Sequence, residues 1–138
     1  MRQVLDFNDT VNGRIYAYDF DAEAGSLSNK RLWHTFAAGD GLPDGMTTDA
    51  AGRLWIAHWG GACVSCHDPV DARELARIVL PASNVTNCAF GGADLRTLFI
   101  TTARTGLSAK QLEAQPLAGA LFAVEVDGPG LPAHRFGA

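Results

Sequence analysis

Apolar and polar residues alternate along several short segments of this chain. The segment RIYAYDFD at residues 14–21 alternates in this way, and LWIAHW at 54–59 and TLFITT at 97–102 are short runs rich in β-branched and aromatic residues. A period of two residues is that of a β-strand, and β-branched and aromatic residues favour strands. The same signals predict further strands at residues 4–8, 29–36, 85–90 and 120–126.

The stretch Gly41–Pro69 is the clearest unit of this pattern. It begins with a turn that presents Asp44 and continues as a short apolar strand, an Asp-Ala-Ala-Gly turn at 49–52, a strand at 53–59, a Gly-Gly turn and a strand that ends at Asp68-Pro69. Turn residues in each gap predict an antiparallel meander.

Three other segments are less regular. Residues 72–80 fit either a helical turn or an outer strand, and their place after Asp68-Pro69 favours the strand. The loop at 105–118 is expected to hold one helical turn around residues 109–113, and the tail at 128–138 a short final strand.

Short apolar motifs recur along the chain. LWIA at 54–57 precedes LFIT at 98–101 by 44 residues, and LDFN at 5–8 is a degraded earlier copy. A period of about 45 residues with four short strands is typical of a β-propeller blade. Residues 1–138 are therefore predicted to be one all-β domain of about three blades.

Composition and charge narrow the class of protein. The net charge is −4 and no basic patch is present, which argues against a nucleic-acid partner. No apolar run reaches the roughly 18–20 residues that span a membrane, and the first ten residues lack the apolar core of a signal peptide. We expect a cytoplasmic protein whose three cysteines are free thiols.

Three polar residues are candidates for a site. Asp44 is either a metal ligand or a turn residue that bonds its own backbone. Asn87 follows Asp44 by 43 residues, and either lines the same channel or caps a strand end. His58 lies near a turn after the LWIA strand and is a candidate for contact with a substrate at the channel rim.

The segment Cys63–His67 has the spacing of a c-type haem attachment motif, with Met46 as a conceivable second axial ligand. In an extended strand Cys63 and Cys66 point to opposite faces, so small buried thiols are favoured over haem or zinc. A triad of Ser65, His67 and Asp68 is rejected because neighbouring strand residues are not expected to converge. The aromatic residues Trp55, Trp59, Phe99 and Phe122 are interpreted as blade packing.

Several motifs, taken together, resemble the senescence marker protein, gluconolactonase and regucalcin family. They are PDGMTTDAAGRLWIAHWGG at 43–61, VTNCAFGG at 85–92 and LFITTAR at 98–104, flanked in the same order by RIYAYDFD and QPLAGALF. The resemblance implies a six-bladed β-propeller that holds a divalent cation such as calcium, zinc or manganese in its channel. It also implies a carboxylic ester hydrolase that acts on sugar lactones, with Asp44 as metal ligand and catalytic base.

The resemblance also has departures. The family's other metal ligands, a Glu and an Asn, and its sugar-contacting Arg, Asn and Glu fall ahead of Met1, and LDFN at 5–8 replaces a more aromatic strand. We therefore expect the C-terminal half of such a domain, with weak or no activity alone. The alternative is a non-catalytic remnant or interaction module that forms homo-oligomers through open blade edges.

Overall fold

The structure is a computed structural model that describes residues 3–133. These residues form ten strands, one short α-helix and two single-turn 3-10 helices at Thr10–Asn12 and Ala38–Asp40. The strands are β1 (Gln3–Asp9), β2 (Arg14–Asp21), β3 (Ser26–Thr35), β4 (Leu42–Thr48), β5 (Leu54–Trp59), β6 (Cys63–His67), β7 (Glu74–Val79), β8 (Val85–Gly91), β9 (Thr97–Thr102) and β10 (Leu121–Glu125), and the helix α1 is Ala109–Ala114.

The strands form three antiparallel sheets that follow one another along the chain. Sheet 1 has the order β1-β2-β3, sheet 2 has the order β4-β5-β6-β7, and sheet 3 has the order β8-β9-β10. Within each sheet, consecutive strands are neighbours, which is the arrangement that short turns between strands permit. The all-β prediction is confirmed.

The sheets repeat one plan. Asp21 at the end of β2 and Asp68 just after β6 each accept hydrogen bonds from the main-chain N–H groups two and three residues later, so the β2–β3 and β6–β7 hairpins are equivalent. This makes β1 the counterpart of β5, and the 43-residue spacing makes β8 and β9 the counterparts of β4 and β5. Within residues 3–133, sheet 1 has no counterpart of β4 and sheet 3 has none of β7.

Strands β5 and β6 of sheet 2 are buried on both faces, which explains why LWIAHW is an almost continuous apolar run. Leu54 and Ile56 of β5 pack with Ile15 and Phe36 of the sheet 1 region. The alternate residues of β5 and β6 pack against sheet 3, in a core formed by Trp55, Ala57, Val64, Cys66, Leu80, Val85, Cys88, Leu98 and Ile100. Burial of about 1.5–3 kcal/mol per large apolar side chain makes these two inter-sheet cores the main stabilising contacts.

Asp49 fixes the turn between β4 and β5. Its buried carboxylate accepts hydrogen bonds from the N–H groups of Ala51 and Arg53, from Arg53 Nε at 2.7 Å and from Trp55 Nε1 at 3.0 Å. Asp49 also forms an isolated bridge with Gly130, which ties the end of the described chain to this turn.

The structure settles several sequence predictions. Residues 72–80 contain the strand β7, and the helical turn predicted in the loop is α1. Strand β3 begins at Ser26, three residues before the predicted start. The placement of Asp44 on a turn ahead of its strand is wrong, because β4 already begins at Leu42.

Of the predicted final strand, the described part makes only the bridge at Gly130, and residues 134–138 lie outside the described residues. No helix within residues 3–133 has the length and apolar character needed to cross a membrane.

Candidate metal and substrate site

Asp44 lies at a bulge in β4. Pro43 pairs with His58 and Met46 pairs with Ile56, so Asp44 and Gly45 together face a single residue of β5. Bulges of this kind redirect side chains and are common beside functional sites. The Asp44 side chain is half-buried, and this burial raises the pKa of its carboxyl, while a hydrogen bond from the Gly45 N–H has a smaller, opposite effect.

Amide side chains from the two other sheets approach this bulge. Asn8, near the end of β1, donates a hydrogen bond from its Nδ2 to the main-chain oxygen of Asp44. On the other side, Asn87 of β8 lies against Gly45 so closely that a Cβ added there would overlap the Asn87 side chain. The structure therefore places Asn87 against the residue next to Asp44 and adds Asn8, and the role of Asn87 in lining a channel stays a prediction.

Asp44 and Asn8 could hold a hard cation through oxygen atoms. Calcium binds carboxylates and the carbonyl oxygens of Asn side chains. Asn8 Oδ1 is buried without a hydrogen-bond partner, and Asn87 Oδ1 accepts a hydrogen bond from the Cys88 N–H at 2.8 Å. Across residues 3–133 no three His, Cys, Asp or Glu side chains are grouped as a metal site, so within that range Asp44 has at most one such side chain as a partner.

Sequence reasoning missed Asn8. It precedes Asp44 by 36 residues, which does not match the repeat spacing, and it lies on the counterpart of β5 rather than on that of β4. No signal in the sequence marks it, because its proximity to Asp44 depends on how sheet 1 packs against sheet 2.

His58 lies elsewhere, on the buried face of sheet 2 toward sheet 1. It belongs to a group of polar residues between these sheets, the histidine cluster, consisting of His34, His58, Ser65 and His67. His58 is fully buried, and its Nε2 lies 2.6 Å from Ser65 Oγ. Its predicted role at the channel rim stays a prediction, and the structure gives it no exposed surface with which to meet a substrate.

The histidine cluster corrects one argument made from the sequence. Ser65 and His67 do converge, because residues two apart on a strand share a face, and Ser65 Oγ lies 2.8 Å from His67 Nε2. Asp68 is not part of this arrangement, since the carbonyl of Ala72 accepts from His67 Nδ1 at 2.8 Å. Ser65 Oγ lies between His58 Nε2 and His67 Nε2, while His58 Nδ1 is buried without a hydrogen-bond partner. These residues therefore form an open chain of hydrogen bonds and not a triad.

Burial disfavours the charged forms of two rings in the cluster. It lowers the pKa of His58, and Arg77 and His67 lower it further, with a smaller opposing effect from Asp40. Burial and His67 likewise lower the pKa of His34. The charged groups that face the two rings are Asp40, Glu74 and Arg77.

The cysteines are structural. Cys63 pairs with His58 on the face toward sheet 1, whereas Cys66 pairs with Trp55 on the face toward sheet 3, so the expectation of opposite faces is confirmed. All three thiols are free and buried. Burial raises the pKa of Cys66 to about 11 and that of Cys88 to about 12, which keeps both protonated and poor as ligands or nucleophiles.

Most of the aromatic residues flagged in the sequence contribute to packing. Trp55 lies in the core toward sheet 3, and Phe122 packs against that core. Phe99 is 38% exposed and lies on Gly91. Two grooves, of about 350 and 710 Å³, lie between sheets, and neither is lined by Asp44 or Asn87.

Comparison with known proteins gives a consistent result. YvrE of Bacillus subtilis is 43% identical over 129 residues, which are 94% of this chain and 44% of YvrE. Pentonolactonase XacC of Haloferax volcanii is 38% identical over 138 residues, and the match covers 97% of this chain and 47% of the length of XacC. Regucalcin of Danio rerio is 37% identical over 135 residues, and the match covers 97% of this chain and 46% of the length of that regucalcin.

Solved structures agree with the sequence relatives. A regucalcin from Agrobacterium tumefaciens, described as a calcium-binding protein, matches with a TM-score of 0.88 and 29% identity, over 96% of this chain and 46% of its own. This chain thus spans less than half the length of the relatives it matches. The sequence profile of the SMP-30/Gluconolactonase/LRE-like region matches residues 2–104. The chain therefore belongs to the SMP-30/gluconolactonase/LRE-like family.

Proposed function

We propose that this chain carries part of the active site of a divalent-metal-dependent sugar lactone hydrolase, with Asp44 as metal ligand and catalytic base. One observation carries the proposal: Asp44, in the P-D-G motif of a family with lactonase members, lies at a bulge flanked by amides from both neighbouring sheets. Calcium is the first candidate, because one relative is described as a calcium-binding protein; zinc and manganese are the others.

In the proposed reaction, water attacks the lactone carbonyl carbon and the ring C–O bond breaks. A bound cation supplies Lewis-acid polarisation of the carbonyl and lowers the pKa of water. Asp44 accepts the proton of the attacking water and returns it to the departing ring oxygen. Asn87, whose Oδ1 is engaged by the Cys88 N–H, presents its Nδ2 as a donor to substrate oxygens.

We further propose that the three sheets are three blades of a six-bladed propeller. The strands β4 and β8 are counterparts and carry Asp44 and Asn87 near their starts, as expected for inner strands that line one channel. A complete family site would draw its remaining Glu and Asn ligands from other blades. The cytoplasmic location stays a prediction from the sequence.

Lactone hydrolysis by the purified chain tests this function. The assay follows acid release from glucono-δ-lactone with EDTA or with added calcium, zinc or manganese. Because this chain carries only part of the site, we expect weak turnover. It should depend on the cation, be lost in Asp44→Ala and be kept in Asp71→Ala, which changes an exposed loop carboxylate. A folded sample with no turnover under any of these cations would refute the activity for this chain.

We also propose that this chain forms homo-oligomers through its open sheet edges, and the surface of sheet 1 supports this proposal. Phe7 is 51% exposed and Leu32 is 56% exposed, and exposed apolar residues on an open sheet favour association. Sedimentation equilibrium should give a mass above that of one 14.6 kDa chain. A stable monomer across the concentration range would contradict this.

A further inference from the structure

We propose that Asn8 is an additional cation ligand, supplying its Oδ1 beside Asp44. The inference rests on the proposed metal site at Asp44, and it concerns a residue that lies outside the P-D-G motif and outside the repeat spacing. It would give this chain an oxygen ligand that the comparison of motifs does not predict.

The two ends of the Asn8 side chain have different surroundings. Its Nδ2 donates to the main-chain oxygen of Asp44, which fixes the amide at the β4 bulge. Its Oδ1 is buried and has no hydrogen-bond partner. Because a buried carbonyl oxygen without a partner is costly, such an atom in a folded protein points to a ligand or an ordered water.

The chemistry of the surroundings favours a cation over a neutral ligand. Asp44 supplies the negative charge, and Asn87 lies against the adjacent Gly45 from the opposite sheet. A carboxylate together with Asn carbonyl oxygens is a donor set typical of calcium, which takes 6–8 oxygen ligands at about 2.3–2.6 Å. Among the described residues, Asn8 is therefore the first candidate for a ligand that joins Asp44.

The position of Asn8 also means that a shared cation would join two sheets. Asn8 comes from sheet 1, Asp44 from sheet 2 and Asn87 from sheet 3. A cation held by Asp44 and Asn8 would link sheets 1 and 2 at the bulge. Cation binding should therefore stabilise the fold as well as complete a site, since any ligand that binds only the folded state raises stability.

The test is calcium binding by isothermal titration calorimetry, paired with the shift in Tm that calcium produces. Asn8→Leu keeps the size of the side chain but removes both polar ends. Asn12→Ala is the matched control, because Asn12 is exposed and its Nδ2 donates to the Asp9 carboxylate. Magnesium chloride at equal ionic strength controls for screening.

We expect Asn8→Leu to weaken calcium binding at least tenfold and to lose most of the calcium-dependent rise in Tm, while its Tm in EDTA stays close to that of the wild type. Asn12→Ala should bind calcium like the wild type. Asn8→Ser, which restores a smaller oxygen, should recover part of the affinity if Asn8→Leu proves poorly folded.

The outcomes separate this inference from the proposed function. Suppose that the wild type binds calcium, that Asp44→Ala does not, and that neither Asn8 variant changes the affinity. The inference is then overturned while the Asp44 site stands, and the buried oxygen of Asn8 holds a water. If the wild type binds no calcium, zinc or manganese, both proposals fail. Loss of affinity in Asn8→Leu with an unchanged Tm in EDTA supports the ligand role.

Discussion

Replacing Asp49 with Asn should destabilise the domain by about 3 kcal/mol. The buried carboxylate is surrounded by donors only, and the Asn amide would place an N–H group against some of them. Leaving the buried Trp55 Nε1–H without its acceptor costs about 1–3 kcal/mol. Losing the charge-assisted hydrogen bond from Arg53 would cost about 1.5–3 kcal/mol if Arg53 were fully buried. Because Arg53 is 30% exposed and can bind water, we reduce its share to about 1 kcal/mol.

Urea unfolding followed by tryptophan fluorescence measures this effect. With a slope of about 2 kcal/mol per molar urea, a loss of about 3 kcal/mol lowers the midpoint by about 1.5 M. The matched control is Asp71→Asn, which weakens an exposed pair with Arg73 at 3.8 Å and should change stability by less than about 0.5 kcal/mol. A loss below about 1 kcal/mol in Asp49→Asn would refute the assignment of Asp49 as the anchor of this turn.

Three further predictions follow from the geometry. The pKa of His58 is lowered in the folded state, so the free energy of unfolding should be constant above about pH 6.5 and fall as the solution is acidified below it. The fall should be less steep in His58→Gln, and a pH-independent free energy of unfolding would contradict this. Gly45→Ala should weaken calcium binding because its Cβ displaces an adjacent amide, whereas Gly39→Ala, in open space, should not; equal affinities would be evidence against the packing. Cys66 and Cys88 should react with Ellman's reagent at pH 8 only after unfolding, and rapid labelling of the native protein would argue against their burial.

The strand pattern was predictable because each strand carries its own local signal. Alternation in β2, the β-branched run in β9 and the turn residues around β5 and β6 report burial and backbone geometry within a few residues. Residues 72–80 were ambiguous because β7 is an outer strand with mostly exposed side chains, which leaves little apolar periodicity to read.

The site was only partly predictable. Asp44 and Asn87 could be paired because they occupy the same place in successive repeats. Asn8 could not, because its contact with Asp44 depends on the packing of sheet 1 on sheet 2. The hydrogen-bonded chain through Ser65 and His67 was missed because the argument considered neighbours in sequence rather than alternate residues on one strand face.

The most direct test of the Asp44 site is an anomalous-scattering measurement on crystals soaked in manganese chloride. We expect a manganese peak bonded to the Asp44 carboxylate, at about 2.0–2.6 Å as for oxygen ligands of magnesium and calcium, and no such peak in Asp44→Ala crystals. Manganese bound only elsewhere, for example at the histidine cluster, or no ordered manganese at all, would contradict the assignment of Asp44 as a metal ligand.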